Sequence, residues 1–497
     1  MYVLICNGEI YNYKELITKY NLSDSLKSDS DCEVIYHLFK LFNDINQVAK
    51  ELRGEFAFVL TEINETNSIT YICRDQIGVR PLFYSVTSSN KLYFSSLLAG
   101  VIDSSSSSGQ VFPPGQILTI KVDETKSFEM EFSKYYEYKY VIDKNNNDLL
   151  TLYGEITSRL INAVKLRLDS DRPIGALLSG GLDSSLVCGI ASKILGVKNL
   201  NTFSIGMKKG TDLEYAAKVA THLGCNHTEV FFTEEEGLEA IDNVLDATET
   251  WDITTVRASV GQYLLGKYIS KNTDIKVILN GDGADEVEMG YLYFYLAPDS
   301  DQAQKETEKL LEEIHRFDGL RVDRCISIHG LEARLPFLDI DFVDHYMQID
   351  PELKIPCPSK QRMEKQLIRD AFNTLYPDLL PQEVMYRKKE AFSDGVSSKE
   401  KSWFQIITEW IEKRVSDEEY NKRDTVSQLE QSSNCNLAQA DKYGKCKSKE
   451  SYYYRKRFND KYNKTLNPSW DVIPHYWLPN WIETNGEPSA RVLAVYK

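Results

Sequence analysis

Seven residues near the middle of the chain, Ser179-Gly180-Gly181-Leu182-Asp183-Ser184-Ser185, constrain the fold more tightly than any other segment. An apolar run, Ile174 to Leu178, precedes them, and an amphipathic run, Leu186 to Leu195, follows, so the local order is strand, glycine turn, helix. Such a turn presents free backbone N–H groups at a helix N-terminus, where an anion is favoured. Gly180 and Gly181 let a ligand approach the backbone, and three serine hydroxyls add donors. The Asp183 carboxylate repels a phosphate unless a divalent cation stands between them. These residues therefore point to a nucleotide pyrophosphate bound with Mg2+. No Gly-Lys-Ser/Thr closes the loop, so this is not a P-loop, and the lysine must come from elsewhere in the chain.

A second segment follows the same logic. Ile275–Leu279 is apolar and runs into Asn280-Gly281-Asp282-Gly283-Ala284-Asp285-Glu286. Further apolar runs at Thr202–Ile205 and Thr228–Phe232 alternate with helical patterns: Leu213, Ala216, Ala217 and Ala220 share one face, and Thr233-x-x-Glu236 is a capping box. Alternating strands and helices predict a doubly wound parallel sheet from about residue 150, with ligands bound beyond the carboxyl ends of its strands. Both glycine turns then lie on one edge, where Asp183 and Asp285 share one magnesium ion, a hard cation that takes oxygen ligands. Glu249-Thr250-Trp251-Asp252 reads equally well as a polar site cluster or as helix capping. Lys365 and Arg369 share a face on helical spacing, and residues 329–339 contain Arg334, open between a carboxylate grip and a structural ion pair.

Residues 1–140 read differently. Strand patterns at Tyr2–Ile5, Phe56–Thr61, Ile69–Cys73, Lys91–Ser95 and Ile117–Val122, with a helix near Asp31–Phe42, predict a β-rich layered domain. The serine run 104–108 and the polar stretch Asp143–Asp148 read as loop and linker. Residues 416–450 read as a surface excursion, and the tail tryptophans Trp470, Trp477 and Trp481 as docked on the body. The chain has 497 residues, enough for two domains, 1–140 and 141–497, and carries a net charge of −16, which disfavours a nucleic-acid surface. There is no apolar run long enough for a membrane span and no basic leader. The nine scattered cysteines fit reduced thiols in a cytoplasmic setting.

Several motifs taken together are similar to asparagine synthetase of the glutamine-dependent type. They are SGGLDSS (179–185), TFSIG (202–206), ETWDITTVRAS (249–259), NGDGADE (280–286), YLYFYLAP (291–298), HGLEARLPFLD (329–339), RMEKQLIR (362–369) and RKKEAFSDGV (387–396). NGEIYN (7–12), SDCEV (30–34) and RDQIGVRPLFY (74–84) resemble that family's amidotransferase domain, a sandwich of antiparallel sheets between helices. The resemblance implies an α+β amidotransferase layer followed by an α/β ATP-pyrophosphatase domain. It implies that ATP activates the side-chain carboxylate of L-aspartate as a β-aspartyl-adenylate. Ammonia, free or derived from glutamine, then gives L-asparagine, AMP and pyrophosphate. Carried over by motif, Leu178, Ser179, Gly180, Gly181, Asp183, Ser184, Ser185, Ile205, Asn280 and Gly281 bind ATP. Asp183 and Asp285 hold Mg2+, and Lys365 steadies phosphate charge and the intermediate. Asn7, Gly8, Glu9 and Asp31 match glutamine-binding positions. A homodimer is also entertained.

Two departures from the family carry expectations. Its nucleophile is an N-terminal cysteine, whereas this sequence starts Met1-Tyr2, with the early segment absent. Cys6 lies within an apolar strand and is expected to be a packed thiol. No glutaminase activity is expected of the chain as it stands, and a fragment or a misassigned start is weighed equally. Asp282 stands where the family usually has a catalytic glutamate, and Asn280 where serine is common. A cyclising enzyme of the β-lactam synthetase kind, which typically has tyrosine at the position of Asp282, and a non-catalytic nucleotide-binding protein are the competing readings.

Overall fold

A computed structural model describes residues 1–87, 89, 91–102, 109–125, 127–144, 148–208, 210–390, 395–397, 401–421, 446, 448–462 and 478–482. Thirteen strands are present among them. Eight lie in the first 134 residues: β1 (Tyr2–Ile10), β2 (Gly54–Ile63), β3 (Ser68–Arg74), β4 (Phe83–Val86), β5 (Leu92–Ser95), β6 (Gln110–Val111), β7 (Gln116–Val122) and β8 (Phe128–Lys134). They form a five-stranded antiparallel sheet in the order β1-β2-β3-β7-β8 and a three-stranded sheet in the order β5-β4-β6. The alternation of side chains along β2 explains the layering. Phe56, Phe58 and Leu60 join one core with helix Glu33–Phe42, whereas Ala57 joins a second core with Leu82, Phe112 and Leu118 on the other face. β1 forms one edge of the larger sheet, and its outward row exposes Val3 and Ile5.

The remaining strands are β9 (Ile174–Leu177), β10 (Asn201–Gly206), β11 (Asn226–Phe231), β12 (Val277–Leu279) and β13 (Glu332–Arg334). All four neighbour pairs are parallel, in the order β11-β10-β9-β12-β13. The chain winds outward one way from β9 through β10 and β11, then returns to add β12 on the other side. A topological switch point therefore lies between β9 and β12, the place where such sheets bind ligands. Helices Thr211–Leu223 and Glu234–Thr248 fall where the apolar pattern put them. Gly224 ends the first at φ 66°, and Thr233 and Glu236 complete the capping box of the second.

The two glycine turns abut at the switch point. Gly180 adopts φ +74°, and a Cβ there would stand 2.4 Å from the Ala216 nitrogen on helix Thr211–Leu223. A Cβ on Gly281 would stand 2.7 Å from the Ser184 nitrogen, so only glycine lets the turn after β12 touch the turn after β9.

Buried ion pairs join the two halves. Arg167 bonds Glu55 of β2 at 3.0 Å and Asp339 at 2.8 Å, and Arg53 reaches Asp339 at 2.6 Å. Arg80 meets Asp323 at 3.0 Å. The Glu249 cluster belongs to this seam. Its carboxylate accepts the N–H groups of Leu98 at 2.7 Å and Ala99 at 2.9 Å, while Asp252 caps helix Ile253–Asn272 through the Thr255 N–H at 2.6 Å. Capping and seam contacts account for this segment, and it does not line the cleft described below. In the tail, Trp481 docks through Nε1 on the Tyr293 carbonyl at 3.3 Å. Trp470, Trp477, the serine run 104–108 and most of 416–450 lie outside the described residues.

Candidate active site

Helix Leu182–Gly189 begins directly after the first turn, with Gly181 as its cap and, among the described residues, no side-chain cap hydrogen bond. Ser179 and Ser184 stiffen that turn. The Ser179 N–H donates to Ser184 Oγ at 3.1 Å, and the Gly181 N–H donates to Ser179 Oγ at 3.3 Å. Leu178, Ser179, Gly181, Asp183, Ser184, Ile205, Asn280, Gly281, Asp282, Asp285 and Lys365 line one cleft. Gly180 and Ser185 stand behind its wall: Gly180 takes up the contact with the Thr211–Leu223 helix, and Ser185 is fully buried.

The two carboxylates converge on one cation. Lys365 Nζ lies 2.6 Å from Asp183 and 2.7 Å from Asp285. Lys365 itself adopts φ 58° immediately before helix Gln366–Leu375, and this left-handed step turns its side chain into the cleft. The lysine is therefore a cap residue rather than a helical one. Arg369, placed on its face by spacing, also borders the cleft, but its guanidinium holds the carbonyls of Glu364 at 3.0 Å and Arg387 at 3.0 Å. Burial opposes the charge on Lys365, but Asp183 and Asp285 outweigh it and raise its pKa. Burial likewise opposes the charge on Asp285, and Lys365 with Lys389 outweighs it, holding this carboxyl well below its usual range. Lys389 pairs directly with Asp285.

Asp282 is gripped on both oxygens, by Gln262 Nε2 at 2.8 Å and by an Arg321 guanidinium nitrogen at 3.1 Å. Glu288 is fully buried nearby, with no hydrogen-bond partner among the described residues, and burial pushes its carboxyl well up despite the pull of Lys365. Sequence reasoning missed Gln262, Arg321, Lys389 and Glu288. Only Lys389 carried a signal, as part of the Arg387–Glu390 run.

The donor set suits a hard cation. Asp183 and Asp285 offer carboxylate oxygens side by side, the one or two protein ligands that Mg2+ takes when phosphates supply the rest. Among the described residues, no group of three or more His, Cys, Asp or Glu side chains forms a self-sufficient metal cage.

The glutamine-side positions gather around β1. Asp31 Oδ2 accepts the Ile10 N–H at 2.6 Å, and Cys32 Sγ lies 3.6 Å from the Gly8 carbonyl. Gly8 has no room for a side chain, because a Cβ would stand 2.2 Å from the Glu55 carbonyl. Glu9 pairs with Arg334 at 3.2 Å, which settles Arg334 as a structural partner that also holds the carbonyls of Arg167 and Asp169. Burial and the neighbouring Glu332 push the Glu9 carboxyl up to about 8 against that pull. Asn7, on the same face of β1 as Glu9, bonds Ser96 Oγ at 2.9 Å instead. Cys6 is half-buried rather than fully packed, because it stands on an edge strand.

A parallel sheet with paired glycine turns, converging carboxylates and a buried lysine at its switch point defines a nucleotide-handling α/β enzyme. The sequence matches the asparagine synthase family over residues 155–311 and 296–481 and the glutamine amidotransferase domain family over residues 1–102. It is 41% identical to the glutamine-hydrolysing asparagine synthetase of Gallus gallus over 518 aligned residues, spanning 100% of this chain and 87% of that protein. Identity to the Homo sapiens enzyme of the same name is 40% over the same shares. Identity to the probable asparagine synthetase of Acanthamoeba polyphaga mimivirus is 40%, over 99% of this chain and 86% of that one. The chain belongs to the asparagine synthetase family, ATP-dependent ligases with an amidotransferase domain. No described helix is long and apolar enough to cross a membrane.

Proposed function

We propose that the chain amidates L-aspartate at the cost of ATP, through a β-aspartyl-adenylate that ammonia, free or drawn from glutamine, opens to asparagine and AMP. The observation that carries this reading is the meeting of Asp183, Asp285 and Lys365 at the switch point of the parallel sheet. Residues 1–140 and 141–497 act as amidotransferase and synthetase portions of one cytoplasmic enzyme, with a homodimer as its assembly.

The residue roles proposed are those the family resemblance implies, and the geometry of the cleft supports them. The first-turn N–H groups of helix Leu182–Gly189, with Ser179 and Ser184, receive the pyrophosphate portion of ATP. Leu178, Ile205 and Gly281 form the wall against the nucleoside. Asp183 and Asp285 would hold Mg2+, which neutralises phosphate charge and favours departure of pyrophosphate. Lys365 stabilises the negative charge that develops on the α-phosphate as the aspartate carboxylate attacks. Asp282, held by Gln262 and Arg321, faces the intermediate and takes the proton that ammonia must lose. Gly8, Glu9 and Asp31 form the glutamine side, with Asn7 at its border.

The test is AMP formation from aspartate, ATP and ammonium chloride, repeated with Lys365→Ala. Aspartate-dependent AMP release that collapses in the variant supports the proposal. ATP binding with no AMP release, or no exchange of pyrophosphate into ATP on adding aspartate, overturns it.

A further inference from the structure

Two thiols meet beside the glutamine-side positions. Cys6 stands on β1, and Cys32 caps helix Glu33–Phe42. Cys6 and Gly8 are two residues apart on an extended strand, so they share one face. Cys32 lies over that same face, with Sγ 3.6 Å from the Gly8 carbonyl and 3.6 Å from Asp31 Oδ2. Cys6 and Cys32 both pack on the rim of the same core, and the Cys6 thiol is the group that acts most strongly on the Cys32 thiol. Both are part-exposed, on an edge strand and at a helix start, where a small oxidant reaches them. Cys73, Cys188, Cys325 and Cys446 are buried, while Cys225 and Cys357 are part-exposed on other elements.

We propose that Cys6 and Cys32 are a thiol pair that a disulfide oxidant such as oxidised glutathione converts to an intramolecular disulfide, stapling β1 to the start of helix Glu33–Phe42. Cys6, on the edge strand, is the attacking sulfur. Its thiolate displaces one glutathione thiolate and forms a mixed disulfide. Cys32 then gives its proton to solvent and displaces the second glutathione. The balance is two protein thiols plus one glutathione disulfide to one protein disulfide plus two glutathiones.

Closing this bond removes the S–H that Gly8 and Asp31 accept, and draws Cys32, the neighbour of Asp31, toward β1. Glutamine affinity therefore falls on oxidation, a consequence that rests on the proposed assignment of Gly8 and Asp31 to the glutamine side. The nucleotide cleft, built from other strands, is untouched.

The experiment incubates the full chain in oxidised or reduced glutathione and maps its peptides by mass spectrometry. It then titrates glutamine calorimetrically and measures ammonia-dependent AMP formation. The expected result is a Cys6–Cys32-linked peptide that dithiothreitol reverses and that Cys6→Ser and Cys32→Ser each abolish. Glutamine binding weakens at least fivefold on oxidation, and AMP formation changes less than twofold. Independent glutathionylation of Cys6 and Cys32, or both thiols free while Cys225 or Cys357 is modified, overturns the pair. A linked peptide with unchanged glutamine affinity overturns the coupling. A reduced chain that binds no glutamine but still forms the linked peptide supports the pair and overturns only the glutamine-side assignment.

Discussion

The nucleotide cleft and the glutamine-side cluster both crowd carboxylates together, and the structure resolves the crowding in opposite ways. In the cleft, Lys365 and Lys389 arrive from beyond the parallel sheet and hold Asp285 ionised. Beside β1, Glu9 and Glu332 share Arg334, and burial with mutual repulsion drives Glu9 up to about 8. The same functional group, a carboxyl, is thus a fixed anion in one region and close to neutrality in the other. Counter-charge brought in by tertiary structure, rather than the local motif, decides which.

The largest expected effect comes from cutting the seam between the regions. Arg167→Met leaves Glu55 and Asp339 buried without their shared partner, which costs about 3–5 kcal/mol of stability. Urea denaturation followed by tryptophan fluorescence checks this. A loss confined to one transition of a biphasic curve would show that the halves unfold separately.

Next in size is the cleft itself. Lys365→Met should lower AMP formation by about 10²–10³-fold, the range for removing one preorganised charge-stabilising donor. Lys389→Met should cost about tenfold, because Lys389 is the more exposed of the two and touches only Asp285 of the pair. Steady-state AMP release with saturating ammonium separates them. Equal losses would mean that the two lysines act as one unit.

Glu9→Gln tests the other side. The folded value of about 8 lies above the ordinary 4.5, so the folded state binds the extra proton. The stability this provides is fully present below about 4.5 and is lost as pH rises through about 8. Glutamine cannot ionise, so the variant should gain relative to the native chain as pH rises through that window, by at most about 1.4 kcal/mol for each pH unit between 4.5 and 8. Melting temperatures at pH 5, 6.5 and 8 check it. A difference independent of pH would show that the Glu9–Arg334 pair holds the carboxylate ionised throughout.

The two regions were unequally legible in the sequence. The turns after β9 and β12 were readable because their chemistry is local: an apolar strand, glycines without room for a side chain, and a helix start within ten residues. Alternation along β2 and the capping box at Thr233 were readable for the same reason. Lys365 was one candidate among neighbouring charges until the family resemblance singled it out, since its direction depends on a left-handed cap step that no periodicity reveals. Gln262 and Arg321 were invisible. Each looks like an ordinary helical polar residue until the fold aims both at Asp282. Arg334 shows the converse, a suggestive arginine that the structure spends on Glu9 and two carbonyls.

The smallest predicted effect is the most diagnostic of how the cleft was built. Asp282 has both oxygens engaged, with Gln262 on one side and Arg321 on the other. A glutamate there carries its carboxylate about 1.5 Å further, and a misplacement of about 1 Å at a reacting group can cost a hundredfold. If Gln262 and Arg321 merely follow the carboxylate, both long and jointed, Asp282→Glu should leave ammonia-dependent synthesis within about threefold of the native rate or improve it. If they instead fix the position of the oxygens, the longer side chain must buckle and the rate falls steeply. Measuring kcat for AMP release in Asp282→Glu, then in Asp282→Glu with Gln262→Ala to free one of the grips, decides between them. Recovery in the double variant would show that the cleft has been rebuilt around aspartate.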